Sequence, residues 1–433
     1  MKTRFAVGAS LAATLLLAGC ASTNPQDPYP AHHDPIVVRP APDSPDAQAL
    51  ATGLNDAGYR LFHAVTATQE GDVVLSPLSI GTAFGMLDLG ATDNVAAILK
   101  ALFEYPIDGD ARWSAFNTLL QDLVTEPGAD TVTPTAPDGS TLPAAPIVRI
   151  ANREFHDTDF STVAGYDETL QKWFGAGIEP LPIRTDVEGS RKHINLWVSD
   201  KTKGLIPDLI PQGAMDTSTV MVLVNALYLK AQWASQFDVS ATAPDTFTLL
   251  DGTTTSVPFM HNGSLDTTLA TGDGYTAIDL PYAQSDLSML VVVPDAGRYS
   301  DIEAGLGTSF VDTVESQLQP ASVDLALPKF ESDTSFSLRT AIESGLGIHG
   351  LFDVPELGGI GENVAVTDAV HAAKIKVDES GTEAAAATAI MVGLTSMPAQ
   401  SVELKIDRPF LYVIRDNVTG AVLFVGRVMN PGA

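Results

Sequence analysis

Near the end of the chain stands Glu379-Ser380-Gly381-Thr382-Glu383-Ala384-Ala385-Ala386-Ala387-Thr388-Ala389-Ile390. The fold turns on how this stretch is read. Local propensity makes residues 383–389 a helix, because alanine heads the helix scale. The other reading is a strand. Thr382, Ala384, Ala386, Thr388 and Ile390 alternate at period two and share one face. Their neighbours, apart from Glu383, are small as well. Such a segment can slide into the middle of a closed sheet, because its inward face carries neither bulk nor charge. An exposed Ala-rich helix is the default for these residues alone; the surrounding chain favours the strand.

Immediately before the stretch, residues 373–377 form an apolar, strand-like run. After it, a variable run continues to Ser401. Three strands then close the chain at residues 402–406, 410–415 and 422–428, with Asn417 to Gly420 as a hairpin turn. Upstream, helical spacing marks residues 49–66 through Leu50, Leu54, Ala57, Leu61, Phe62 and Val65. A short strand at residues 72–75 leads to a second helix that begins at Ser76-Pro77, where proline suits the first turn. Helices follow at 95–102 and 112–124. Residues 126–146, rich in Pro, Gly, Thr and Ala without a period, read as a surface insertion. Strands are expected at 147–152, 178–181, 219–229 and 323–330, with Lys329 near the end of the last, and helices at 190–199 and 336–346. Helices dominate the first third and strands the rest, an α+β pattern.

The N-terminus reads as an export signal. Lys2 and Arg4 form the basic region and residues 5–18 the apolar one, too short to span a bilayer as a helix. It ends Leu17-Ala18-Gly19-Cys20, which resembles the lipobox of bacterial lipoproteins. By that resemblance residues 1–19 are removed and Cys20 carries lipid, with acyl chains as the anchor. The other reading is an ordinary signal peptide with a chance cysteine. Ala21 after Cys20, rather than Asp, points by the bacterial sorting rule to the outer membrane, facing the periplasm or the cell surface. Residues 20–45 form a tether: seven prolines fall between Asn24 and Pro45 among polar residues. His32-His33-Asp34 in this tail has no scaffold to hold a metal, and no cofactor is expected.

The formal net charge is −29, and residues 1–45 hold three basic and three acidic side chains, so the imbalance sits in the body. Such a body repels nucleic acid and heparin-like polyanions, and the helix at 112–124 lacks the basic cluster that a heparin-type activator needs. Cys20 is the single cysteine, so no disulfide forms within the chain. Enzyme signatures are missing: no Gly-x-Ser-x-Gly elbow in the mature chain, no His-Glu-x-x-His, no phosphate loop and no dinucleotide fingerprint. A serine hydrolase with a dispersed triad stays open, since such groups meet only in space.

Ten blocks in order resemble the serpin family over residues 46–431. They are Asp72-Val-Val-Leu-Ser-Pro-Leu-Ser-Ile80, Leu89-Gly-Ala91, Ile194-Asn-Leu-Trp-Val198, Val224-Asn-Ala-Leu-Tyr-Leu-Lys230 with Trp233, and Leu280-Pro-Tyr282. Later come Leu327-Pro-Lys-Phe330, Leu346-Gly-Ile348 with Leu351-Phe352, Val370-His-Ala372, residues 379–387, and Arg408-Pro-Phe410 through Gly426-Arg-Val428 to Asn430-Pro431. Val95 stands where the family has Thr, and the 126–146 insertion and lipidated tether depart from its pattern. The resemblance implies one domain over residues 46–433: helices around a large central mixed sheet, two further sheets and an exposed reactive loop at 379–401. It also implies a monomer, and an inhibitor rather than an enzyme. A target serine protease, or a cysteine protease, cleaves the loop and is held covalently while the loop inserts as a strand.

By the same resemblance, Glu379, Gly381, Thr382, Glu383, Ala384, Ala385, Ala386, Ala387 and Thr388 form the loop hinge. Counting fifteen positions from Gly381, as inhibitory serpins do, ends on Thr395, so the reactive bond is Thr395–Ser396. Thr395 suits an elastase-like pocket; the alternative bond, Leu394–Thr395, suits chymotrypsin-like or subtilisin-like enzymes. Ser76, Ser79, Asn195 and His371 are expected as a buried polar cluster beneath the central strands, the shutter. Trp197, Lys329 and Glu379 are expected at the breach, where the loop first enters, with an ion pair between Lys329 and Glu379. The alternative function is a non-inhibitory serpin serving as a surface binding protein.

Overall fold

A computed structural model describes residues 46–123, 142–382 and 401–432. Cys20, the tether, most of the 126–146 insertion, the hinge residues from Glu383 to Thr388, and Leu394, Thr395 and Ser396 lie outside the described residues. The chain runs α1 (Ala47–Thr66), β1 (Val73–Leu75), α2 (Pro77–Asp88), α3 (Asp93–Leu102), α4 (Asp110–Leu123), β2 (Ile147–Asp157), α5 (Tyr166–Phe174), β3 (Gly177–Leu181) and α6 (Val187–Lys201). It continues β4 (Met221–Gln232), β5 (Ala243–Thr248), β6 (Thr254–Gly272), β7 (Tyr275–Pro281), β8 (Leu287–Pro294), α7 (Tyr299–Gly305), α8 (Thr308–Gln317) and β9 (Gln319–Pro328). It closes with β10 (Phe330–Ser337), α9 (Leu338–Thr340), β11 (Val370–Asp378), β12 (Gly381–Thr382), β13 (Val402–Lys405), β14 (Phe410–Asp416) and β15 (Val422–Val428).

The α+β class follows from these elements. In α1 the predicted apolar stripe, Leu50 to Val65, is buried. Pro77 opens α2, and the Ser76 side chain caps it by accepting from Ser79 N at 3.1 Å. The largely apolar strands β8, β14 and β15 are buried at every residue, as strands covered on both faces must be.

One sheet has the order β10-β11-β12-β4-β2-β3, and the other runs β1-β15-β14-β8-β7-β6-β9-β13 with β5 on β6. Both are mixed, since β2 pairs parallel with β3 and β13 parallel with β9. The two further sheets expected beside the central one are a single ladder here. The 19 residues of β6 are long enough to pair β5, β7 and β9, with a register shift between Asn262 and Leu265. β1 packs on β10 and β11, which joins the two sheets in one core. A second apolar cluster, with Phe155, Ile194, Val198 and Val224, lies where α6 covers β2 and β4.

Two expected elements differ. Residues 323–330 are not one strand: Pro328 ends β9, Lys329 N donates to Pro258 O at 2.9 Å, and Phe330 starts β10. Residues 336–346 are not one helix. Phe336 and Ser337 pair with His371 and Val370, so sheet pairing overrides local propensity. A π turn, Ala341–Gly345, follows the single α turn.

Candidate functional site

Within the quoted stretch, Glu379 and Ser380 form a turn and Gly381 and Thr382 a two-residue strand; the rest lies outside the described residues. Gly381 and Thr382 pair antiparallel with Asp378 and Val377 of β11 on one side, and with Gln232 and Ala231 of β4 on the other. β4 and β11 make no direct ladder among the described residues. Sharing β12 as neighbour, they stand two strand spacings apart at that level, about 9–10 Å. The central sheet is therefore parted where the loop begins.

Glycine is required at the start. Gly381 has φ +150°, and a Cβ there would lie 1.9 Å from Ala231 O. Thr382 is buried, and its hydroxyl meets Tyr282 Oη at 2.6 Å. Tyr282 stacks on Trp233 with centroids 4.8 Å apart, and Trp233 Nε1 donates to Asp378 O at 3.0 Å. Main-chain bonds from Trp233 N to Ser380 O (2.9 Å) and from Phe237 N to Glu379 O (3.0 Å) hold the turn between β11 and β12.

Within that turn the Glu379 carboxylate accepts from Lys329 Nζ at 2.8 Å and from Thr242 Oγ1 at 2.7 Å. Burial pushes the Glu379 carboxyl up, but the hydrogen bonds from Lys329 and Thr242 outweigh it and hold it below the usual carboxylate range. Lys329 and Glu379 are thus together at the mouth of the slot, and Trp197 is elsewhere. Its ring lies on α6 against Phe155 (5.6 Å) with the Arg153 guanidinium 5.1 Å over it. The tryptophan at the Glu379 turn is Trp233, because the end of β4 passes beneath that turn and α6 lies over β2.

The polar cluster beneath the sheet is rearranged in one member. Ser76 N donates to His371 Nε2 at 3.1 Å, and Ser79 Oγ donates to Asn225 Oδ1 at 2.5 Å. Asn225 Nδ2 in turn donates to Asn152 Oδ1 at 2.6 Å. Burial pushes the His371 imidazole down to about 3, so it is neutral and free to accept from the main chain. Asn195 does not join them. It accepts from Ile210 N at 2.8 Å and donates to Ile210 O at 2.9 Å, closing the loop after α6. Asn225 and Asn152, register partners in β4 and β2, were missed. The signal was a lone amide inside each strand-like run, since a buried polar side chain needs a partner. Among the described residues, no group of three or more His, Cys, Asp and Glu stands together to hold a metal ion.

A family profile described as Serpin (serine protease inhibitor) matches residues 52–431. An uncharacterized serpin-like protein of Thermococcus kodakarensis is 34% identical over 387 residues, 88% of this chain and 86% of the relative. Antithrombin-III of Mus musculus is 30% identical over 377 residues, 85% of this chain and 78% of its own length. Among solved structures, a thyroxine-binding globulin complex with thyroxine superposes with a TM-score of 0.74 at 23% identity, covering 89% of this chain and all (100%) of that one. This last likeness concerns the fold alone. The family profile and the relative 34% identical establish that this chain belongs to the serpins, a family of serine protease inhibitors and not of enzymes.

Proposed function

We propose that this serpin is a suicide substrate: a target serine protease cleaves the loop after Thr395 and is trapped as an acyl-enzyme while the loop enters between β4 and β11. The observation that carries this reading is β12, already hydrogen-bonded on both edges at the top of a sheet whose β4 and β11 do not pair directly. Insertion of ten to fifteen residues, at roughly 0.5–1.5 kcal/mol per backbone hydrogen bond, releases on the order of 10 kcal/mol. That rivals the stability of a whole domain. Small side chains at Thr382 and Ala384 to Thr388 support fast insertion, because bulk or charge there would carry a burial penalty. Thr395 favours elastase-like targets, and Leu394–Thr395 is the alternative bond for chymotrypsin-like or subtilisin-like ones. Lipid on Cys20 would hold the inhibitor, as a monomer, on the bacterial outer membrane.

The competing reading, a surface binding protein, takes its support from the shared fold of thyroxine-binding globulin, which is complexed with thyroxine. The small-residue hinge favours inhibition. Incubation with elastase-like, subtilisin-like and papain-like proteases, followed by denaturing electrophoresis, separates the readings. A covalent adduct is expected; cleaved loop without adduct would refute trapping. N-terminal sequencing of the released fragment distinguishes Ser396 from Thr395 as its first residue. Labelling with radioactive palmitate, lost on Cys20→Ser, tests the anchor.

A further inference from the structure

Residues 142–146, the end of the insertion nearest β2, lie against the mouth of the slot. β2 starts with Ile147 opposite Lys230 and runs antiparallel to β4. The residues before Ile147 therefore run alongside the last residues of β4. Ala144 N donates to Gln232 Oε1 at 2.5 Å, and Pro143 O accepts from Gln284 Nε2 at 2.5 Å. One glutamine lies in β4, which pairs with β12, and the other follows Tyr282, whose hydroxyl meets Thr382. Gln232 is the β4 residue opposite Gly381, and its carbonyl accepts from Ala283 N at 2.8 Å. Gln284 stands in the turn between β7 and β8, two residues after the Tyr282 that holds Thr382.

Gln284 has φ +54°, in the left-handed region that glycine occupies without strain. A side-chain-bearing residue kept there, with its amide bonded to residue 143, is a local outlier tied to a specific contact. We propose that residues 142–146 are a strap that restrains the opening of the sheet and so sets how fast the loop enters, an inference that rests on the inhibitory reading above. The restraint is geometric. The β7–β8 turn belongs to the nine-stranded sheet and β4 to the six-stranded one. For more of the loop to enter, β4 must move relative to β11. The strap, with the main-chain bond from Ala283 N to Gln232 O, joins the end of β4 to a turn outside its sheet, so movement of β4 away from that turn breaks the strap's two hydrogen bonds.

Two variants test this on the full chain. Gln284→Ala removes the amide and keeps the strained backbone; Gln284→Gly removes the amide and relieves the strain. The readouts are the rate at which uncleaved protein converts to a heat-resistant form at fixed temperature, the rate of uptake of a synthetic peptide with the sequence of residues 382–390, and the denaturant midpoint. Both variants are expected to convert and take up peptide roughly 3- to 10-fold faster, with the Gly variant keeping at least the parent's midpoint. Rates within about twofold of the parent in both variants would overturn the strap. So would acceleration in the Ala variant alone, in step with a lower midpoint. The unaltered protein is assayed in parallel for protease adduct. If it forms none, the inhibitory reading fails; if it forms one while the variants convert at the parent rate, only the strap fails.

Discussion

Gly381 carries the sharpest constraint at the scale of single residues. With Ala231 O only 1.9 Å from where a Cβ would stand, Gly381→Val cannot keep β12 in place. The expected result is a protein that still folds but is consumed as a substrate, with several moles needed per mole of protease blocked; titration of residual protease activity measures it. His371 gives a pH dependence. Its folded pKa is pushed down to about 3 from 6.5, so the unfolded chain binds the proton first. Its contribution is fully present above pH 6.5 and is lost as pH falls toward 3, with a slope approaching about 1.4 kcal/mol per pH unit. Denaturant unfolding between pH 7 and pH 4 should show this slope, and His371→Gln, which can still accept from Ser76 N, should remove it. Glu379 also has a lowered pKa, so the stability from its pair is present above the unfolded carboxylate value and fades as pH falls through the folded one. Lys329 is about a third exposed, so the pair contributes at most ~1 kcal/mol. Glu379→Gln should lower the unfolding free energy by no more than this at pH 7, with the difference vanishing at low pH.

Between elements, the question is which amide closes the polar cluster under the sheet. Ser79, Asn225 and Asn152 form one chain of hydrogen bonds that links α2 to β4 and β2. Asn225→Ala strands Ser79 Oγ and Asn152 Oδ1 in a buried place, at a cost of about 1–3 kcal/mol. A double-mutant cycle between Ser79→Ala and Asn225→Ala should show coupling above ~0.5 kcal/mol, while Ser79→Ala with Asn195→Ala should be additive. Asn195 and Trp197 lie in a run with the right residue types, yet α6 turns them toward the Ile210 loop and the Phe155–Arg153 face. Helix facing depends on what the helix packs against, and residue spacing alone does not settle it. The same lesson holds for residues 336–346. Their helical spacing gives way at Phe336 and Ser337 because β11 offers a pairing edge.

For the whole molecule, the parted central sheet carries the largest consequence. If filling the slot releases on the order of 10 kcal/mol, cleavage within the loop should raise Tm by roughly 10–20 °C. Differential scanning calorimetry of intact and nicked protein measures this directly, and equal transitions would contradict a metastable sheet. The α+β class and the succession of most helices and strands along the chain could be read from period, propensity and turn chemistry. These signals are local, so the sequence alone determined them. The partner of each side chain could not be read in that way. That Trp233 rather than Trp197 meets the Glu379 turn, that Asn225 rather than Asn195 meets Ser79, and that residue 144 reaches Gln232 were decided only by the tertiary structure. The physical reason is that these contacts join residues far apart in the chain, and their choice depends on strand register and helix facing, which are set when the sheets and helices pack together.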